Sequence, residues 1–178
     1  MSPRIRKQTK YLTVSAMLCA LGTILLALGA LIDVLDLSVA VLASLLCAYA
    51  VIEIGGFYPV VIWLVTSLLS LLLLPVKSPA IIYAMFAGFY PIVKAKLEGK
   101  LPRPICMLCK LLVFHVCLGG IVLICSLFLP QMLENDGPKW FPAVLYVLCL
   151  LCFLLYDLAL TRIISFYVHR LHQKFKIR

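Results

Sequence analysis

Charge is scarce in this chain, and acidic charge is scarcest of all. Only 13% of its 178 residues are charged, with seven Asp or Glu against sixteen Lys or Arg. The acidic and histidine residues form no nucleophile–base pair, phosphate-binding loop or proton-relay ladder, so no catalytic centre is visible and the chain reads as a non-enzyme. A signal-peptide cleavage site is missing too: the basic stretch from Met1 to Lys10 leads into an apolar run too long for a signal-peptide core.

Apolar residues fill the space that charge leaves. They make up 65% of the chain, and its mean hydropathy is +1.14. A soluble domain of this size could not bury so much apolar surface, so the chain is read as an integral membrane protein. A net charge of +9 suggests nucleic acid in a soluble protein. Here the positive charge collects at the ends of apolar stretches, where it faces anionic headgroups, and nucleic acid is excluded as a partner.

Fourteen of the sixteen cations fall into three clusters. The first is Arg4, Arg6, Lys7 and Lys10; the second is Lys94, Lys96, Lys100, Arg103 and Lys110; the third is Arg162, Arg170, Lys174, Lys176 and Arg178. Positive charge is retained on the cytoplasmic side during insertion, so each pair of clusters should be separated by an even number of spans. A span takes about 20 apolar residues. Six fit, at approximately 11–32, 37–54, 57–74, 79–97, 105–129 and 140–167. Four spans then separate the first two clusters and two separate the last two. The expected fold is a compact all-α bundle of six transmembrane helices in a single domain, with both termini cytoplasmic, in the plasma membrane. Lys77 and Lys139 are the cations left outside. The inner turn between spans two and three is marked only by Glu53, Gly55 and Gly56, and parity survives if the two form one re-entrant element.

A hexapeptide recurs: Gly56-Phe57-Tyr58-Pro59-Val60-Val61 returns as Gly88-Phe89-Tyr90-Pro91-Ile92-Val93. The match ends there and the flanks do not align, so it is read as coincidence and not as duplicated halves. Either proline would kink or start a helix.

Eight cysteines include two CxxC pairs, Cys106 with Cys109 and Cys149 with Cys152. On a helix such pairs merely share a face, and Cys19, Cys47, Cys117 and Cys125 sit singly among apolar residues, where thiols behave as small hydrophobes. Beside Cys106, Cys109 and His115 the helix offers no fourth ligand on the same face, so no metal and no cofactor is expected. Asp157 and Glu53 are read as interfacial carboxylates, Asp157 eased by Arg162 or Lys110. His115 is read as a hydrogen-bonded packing residue.

The first span carries Ala16 and Ala20 one turn apart, with Ser15, Cys19 and Gly22 beside them. Such small-xxx-small faces let another helix approach closely. A basic N-terminus, a first helix reading Ala16-Met17-Leu18-Cys19-Ala20-Leu21-Gly22, and six spans in under two hundred residues together resemble the substrate-binding S component of energy-coupling factor (ECF) vitamin transporters. The resemblance implies that Ala16 and Ala20 contact a membrane coupling subunit that works with cytoplasmic ATPases. It also implies a small-molecule substrate captured on the outer side and released inside after the bundle topples. No substrate signature is matched. Physical reasoning puts the pocket in the outer half, at Asp33, Asp36, Lys77 and Ser78 from the loops, Tyr83, Phe86 and Tyr90 along the fourth span, and Asn135 and Trp140 from the last outer loop. So few polar groups suit a small, largely apolar or aromatic micronutrient. The competing roles are an interfacial belt for the outer Tyr and Trp residues and core packing for the Tyr83, Phe86, Tyr90 stripe. Two other functions stay open: a membrane scaffold or assembly protein without ligand, and a thiol oxidoreductase using a CxxC pair.

Overall fold

The computed structural model describes residues 3–32, 35–128 and 140–171, without the side chains of residues 3–7, 103, 125, 128, 170 and 171. Every regular element among them is helical. Helix α1 covers Pro3–Gly29, α2 Asp36–Glu53, α3 Tyr58–Leu73, α4 Ser78–Glu98, α5 Arg103–Phe128 and α6 Phe141–Phe166. Helix α6 widens into a π turn at Tyr167–Leu171.

Among the described residues, five helices are long and apolar enough to cross a membrane: Gln8–Gly29, Asp36–Glu53, Ser78–Glu98, Pro104–Ile124 and Phe141–His169. Helix α3, with 16 residues, is the short one. At about 1.5 Å per residue it covers about 24 Å of a core about 30 Å thick. Its limits follow from local chemistry. Gly55 and Gly56 adopt φ values of 65° and 62°, a left-handed bend that a side chain resists, and this separates α3 from α2. Pro59 then occupies the first turn of α3, where a missing N–H does no harm. At the other end, Pro75 keeps Leu74 out of the α region, and Leu74 is extended with ψ 135°. The Lys77 ammonium closes that end, donating to the carbonyls of Leu71 at 2.8 Å and Leu74 at 2.5 Å. The turn after Glu53 therefore makes α2 and α3 two separate helices.

The chain divides into two compact units, Met1–Leu112 and Val113–Lys176. In the first, α1 packs along both α2 and α3, and α4 packs on α2. Its core is rich in alanine: Ala30, Ala40, Ala43, Ala80 and Ala87 surround Leu26, Leu74 and Tyr83. Small side chains let backbones approach, which supplies dispersion contacts where the hydrophobic effect between helices is absent. Gly22 and Gly29 carry this furthest. A Cβ on Gly22 would sit 3.1 Å from the Thr66 methyl, and one on Gly29 would sit 3.0 Å from Val39 Cβ. Three hydroxyls in this interior turn back on their own helices. Ser44 donates to Val41 O at 2.6 Å, Ser67 to Trp63 O at 2.7 Å and Ser70 to Thr66 O at 2.6 Å. Such bonds let a polar side chain be buried without a partner helix to bond.

In the second unit the rings of Phe114 and Phe153 stack with centroids 4.7 Å apart. Tyr156, Asp157 and Leu160 are buried on α6, and Thr161 bonds back to the Asp157 carbonyl at 2.8 Å.

Replacing Gly22 with Val should force α1 away from Thr66 at about 1–3 kcal/mol. Ala20→Val, on an exposed position, should stay within about 0.5 kcal/mol. Thermal melting of the two variants in detergent checks the contrast.

Candidate functional site

Helix α1 has two faces of opposite use. Ser15, Cys19, Gly22, Leu26, Gly29 and Ala30 are buried, a stripe at helical spacing that lies against α2 and α3. Ala16 and Ala20 lie on the other side and are exposed, beside Met17 and Ile24. Within this chain, close packing is therefore done by the glycines and not by the two alanines. The alanine pair is a slim, outward strip flanked by larger apolar side chains.

The residues expected to line an outer pocket are distributed as follows. Asp36 is half-buried in the first turn of α2, where a carboxylate meets the positive end of the helix dipole. Lys77 is the cap of α3 described above. Ser78 opens α4, with Pro79 behind it. Tyr83 and Tyr90 are core residues, 1% and 0% exposed. Phe86 is half-buried and its ring lies 5.4 Å from that of Tyr90. Trp140 is exposed at the start of α6, in the second unit. Asp33 and Asn135 lie outside the described residues, as does most of the third basic cluster. Lys77, Ser78 and the ring stripe thus share one stretch of the first unit, while Trp140 belongs to the other.

The recurring hexapeptide has a physical meaning in the fold. In both copies Phe is the residue before a helix, Tyr and Pro form its first turn, and the same two bonds close it. Val60 and Val61 N–H reach the Phe57 carbonyl at 3.1 and 3.3 Å, and Ile92 and Val93 reach Phe89 at 3.2 and 3.3 Å. The first copy starts a new helix after a reverse turn. The second restarts α4 in mid-course, after a π turn at Tyr83–Ala87. Coincidence accounts for the sequence match less well than a shared way of starting a helix at proline.

Residues that sequence reasoning passed over cluster at two places. Trp63 on α3 donates from Nε1 to the Ala84 carbonyl of α4 at 2.9 Å. At the far end of α4, Lys94 and Lys110 are 1% and 7% exposed and both reach the Glu98 carboxylate, at 3.5 and 2.7 Å. The second basic cluster is therefore not uniform. Lys96 and Lys100 are exposed, whereas Lys94 and Lys110 lie inside and are tied to its one acidic member. Position in the sequence does not separate these roles, since all four cations lie within one short stretch.

His115 Nε2 and Tyr146 Oη lie 2.7 Å apart, giving the histidine the hydrogen bond expected of it. Cys106 is buried, and Cys109, Cys149 and Cys152 are half-buried with free thiols. Among the described residues, no three His, Cys, Asp or Glu side chains gather as metal ligands do. No protein-family model, no curated protein and no solved structure matches this chain.

Glu98→Gln should lower stability by about 1–3 kcal/mol, because two enclosed ammonium groups lose a charged acceptor. Lys96→Gln should change it by less than about 0.5 kcal/mol. Melting curves of the two variants in one detergent give the comparison.

Proposed function

We propose that this chain is the substrate-binding membrane subunit of an ECF-type uptake transporter for a small, largely apolar or aromatic micronutrient. The observation that carries the reading is the outward strip at Ala16 and Ala20. Among the described residues those two alanines are exposed, although the same helix uses Gly22 and Gly29 for close contact with α2 and α3. A slim strip left outside in a bilayer is suited to another helix approaching closely, because small residues give packing contact without losing side-chain freedom. The partner in this reading is a membrane coupling subunit with cytoplasmic ATPases.

The same proposal sets the topology. Both termini are cytoplasmic, the protein is multi-pass in the plasma membrane, and the three basic clusters lie inside. All six helices cross. The short α3 is accommodated by its apolar neighbours Phe57 and Leu74 and by local thinning of the bilayer. Ligand enters from the outer side, near Asp36 and Ser78, and Phe86 is the member of the Tyr83, Phe86, Tyr90 stripe with its ring least enclosed. Transport is driven by the partner's ATPases, so the chain itself performs no chemistry.

Affinity purification of the tagged chain from its own membranes should retain a coupling subunit and its ATPases. Ala16→Leu with Ala20→Leu should abolish that retention while leaving the melting temperature near that of the parent. A parent chain that brings down no such subunits sinks the proposal and leaves the ligand-free scaffold as the better account.

A further inference from the structure

Helix α4 leaves α geometry at one place. Over Tyr83–Ala87 the chain makes a π turn, and the Gly88 N–H bonds the carbonyl of Tyr83, five residues back, at 2.8 Å. In an α-helix that N–H would bond Ala84 O instead. Here the Ala84 carbonyl accepts the Trp63 indole N–H from α3, at 2.9 Å. Gly88 is fixed by the same arrangement. A Cβ there would fall 2.6 Å from Tyr83 Cζ and 2.7 Å from Trp63 Cδ1, both atoms of rigid rings. The Trp63 ring also rests against Phe89, with centroids 5.4 Å apart.

From this geometry we infer that α4 has two registers, and that Trp63 is the latch that holds it in the π register by occupying the Ala84 carbonyl. When the indole leaves, Gly88 N–H takes Ala84 O and the π turn becomes α, with a kink at Ala87, whose carbonyl Pro91 has no N–H to meet. The segment Tyr90–Glu98 then rotates by about 100° and shifts by about 1.5 Å relative to Ser78–Ile82. Each residue of that segment moves to the angular place of its successor. Phe89 enters the slot of buried Tyr90, Val93 enters that of buried Lys94, and Lys94 moves to the place of exposed Ala95. An aromatic ring replaces an aromatic ring at Tyr90 and an apolar chain replaces the lysine stem, but Tyr90 must itself enter the slot of fully buried Pro91, so the α register is the less well packed of the two. The move also draws Glu98 away from Lys110, which loosens the tie between α4 and α5. The latch therefore joins two ends of one helix through a discrete, two-state step, and it stands independently of the transport reading.

Lysine acetylation of the purified full chain by a water-soluble amine reagent, read residue by residue by mass spectrometry, tests the inference. In the parent, Lys96 should react and Lys94 should be protected. Trp63→Phe keeps a ring but removes the N–H, and Gly88→Ala adds a Cβ for which the π register has no room. Each should speed modification of Lys94 roughly tenfold, the effect of about one hydrogen bond. Lys77, bonded to Leu71 and Leu74 upstream of the turn, should keep its parental rate. A parental rate at Lys94 in both variants overturns the inference. So does a joint rise at Lys77 and Lys94, which marks a general loosening of the fold.

Discussion

Hydrocarbon offers a backbone no substitute for a missing hydrogen bond, and this constraint organises the whole chain. Where the helices run unbroken it is met without remark. It becomes visible where they do not. Pro75 ends α3, and the Lys77 ammonium reaches back to two of the carbonyls left without amide partners. The π turn of α4 leaves the Ala84 carbonyl to be met from another helix, and the indole of Trp63 supplies the donor. Both repairs use the donor of a long or large side chain, one from α3 itself and the other from just beyond its end. That short helix thus acts as the brace for the irregular places around it.

A second consequence concerns size. Apolar side chains gain nothing by leaving lipid for one another, so helices in this setting hold together through close contact. Gly22 against Thr66 and Gly29 against Val39 are close approaches of this kind on α1, and the alanine-rich core around Tyr83 extends the same principle to α2 and α4. The buried hydroxyls of Ser44, Ser67 and Ser70 fit this plan because they bond their own preceding turn. Charged groups do not fit it, and the chain confines them to the ends. Where Lys94 and Lys110 are enclosed, a carboxylate accompanies them. Isolating either ammonium in a medium of low dielectric would cost several kcal/mol.

The alanine pair on α1 is of interest because it follows the same packing rule but is left exposed among the described residues. A face built for close approach and left outward is the property a docking helix requires. The register of α4 is a separate matter, governed by the competition of two donors for one carbonyl.

The amino-acid sequence alone determined the helical class, that several helices are apolar enough to cross a membrane, most helix ends to within a few residues and the positions of charge, because each depends on local composition, on proline and glycine, and on span length; the start of α1, at Pro3, lies well before the expected span. It marked the alanine pair and the recurring hexapeptide without revealing their use. Tertiary structure decided which face of α1 turns inward, that Tyr83 and Tyr90 lie in the core, and that Lys77 caps a helix. It also decided that α4 carries a π turn and that the lysines of one basic cluster have opposite environments. These outcomes depend on what stands across from each residue on another helix: Thr66 opposite Gly22, Trp63 opposite Ala84, Lys110 opposite Glu98. Spacing along one helix says which residues share a face, but only packing says what that face meets.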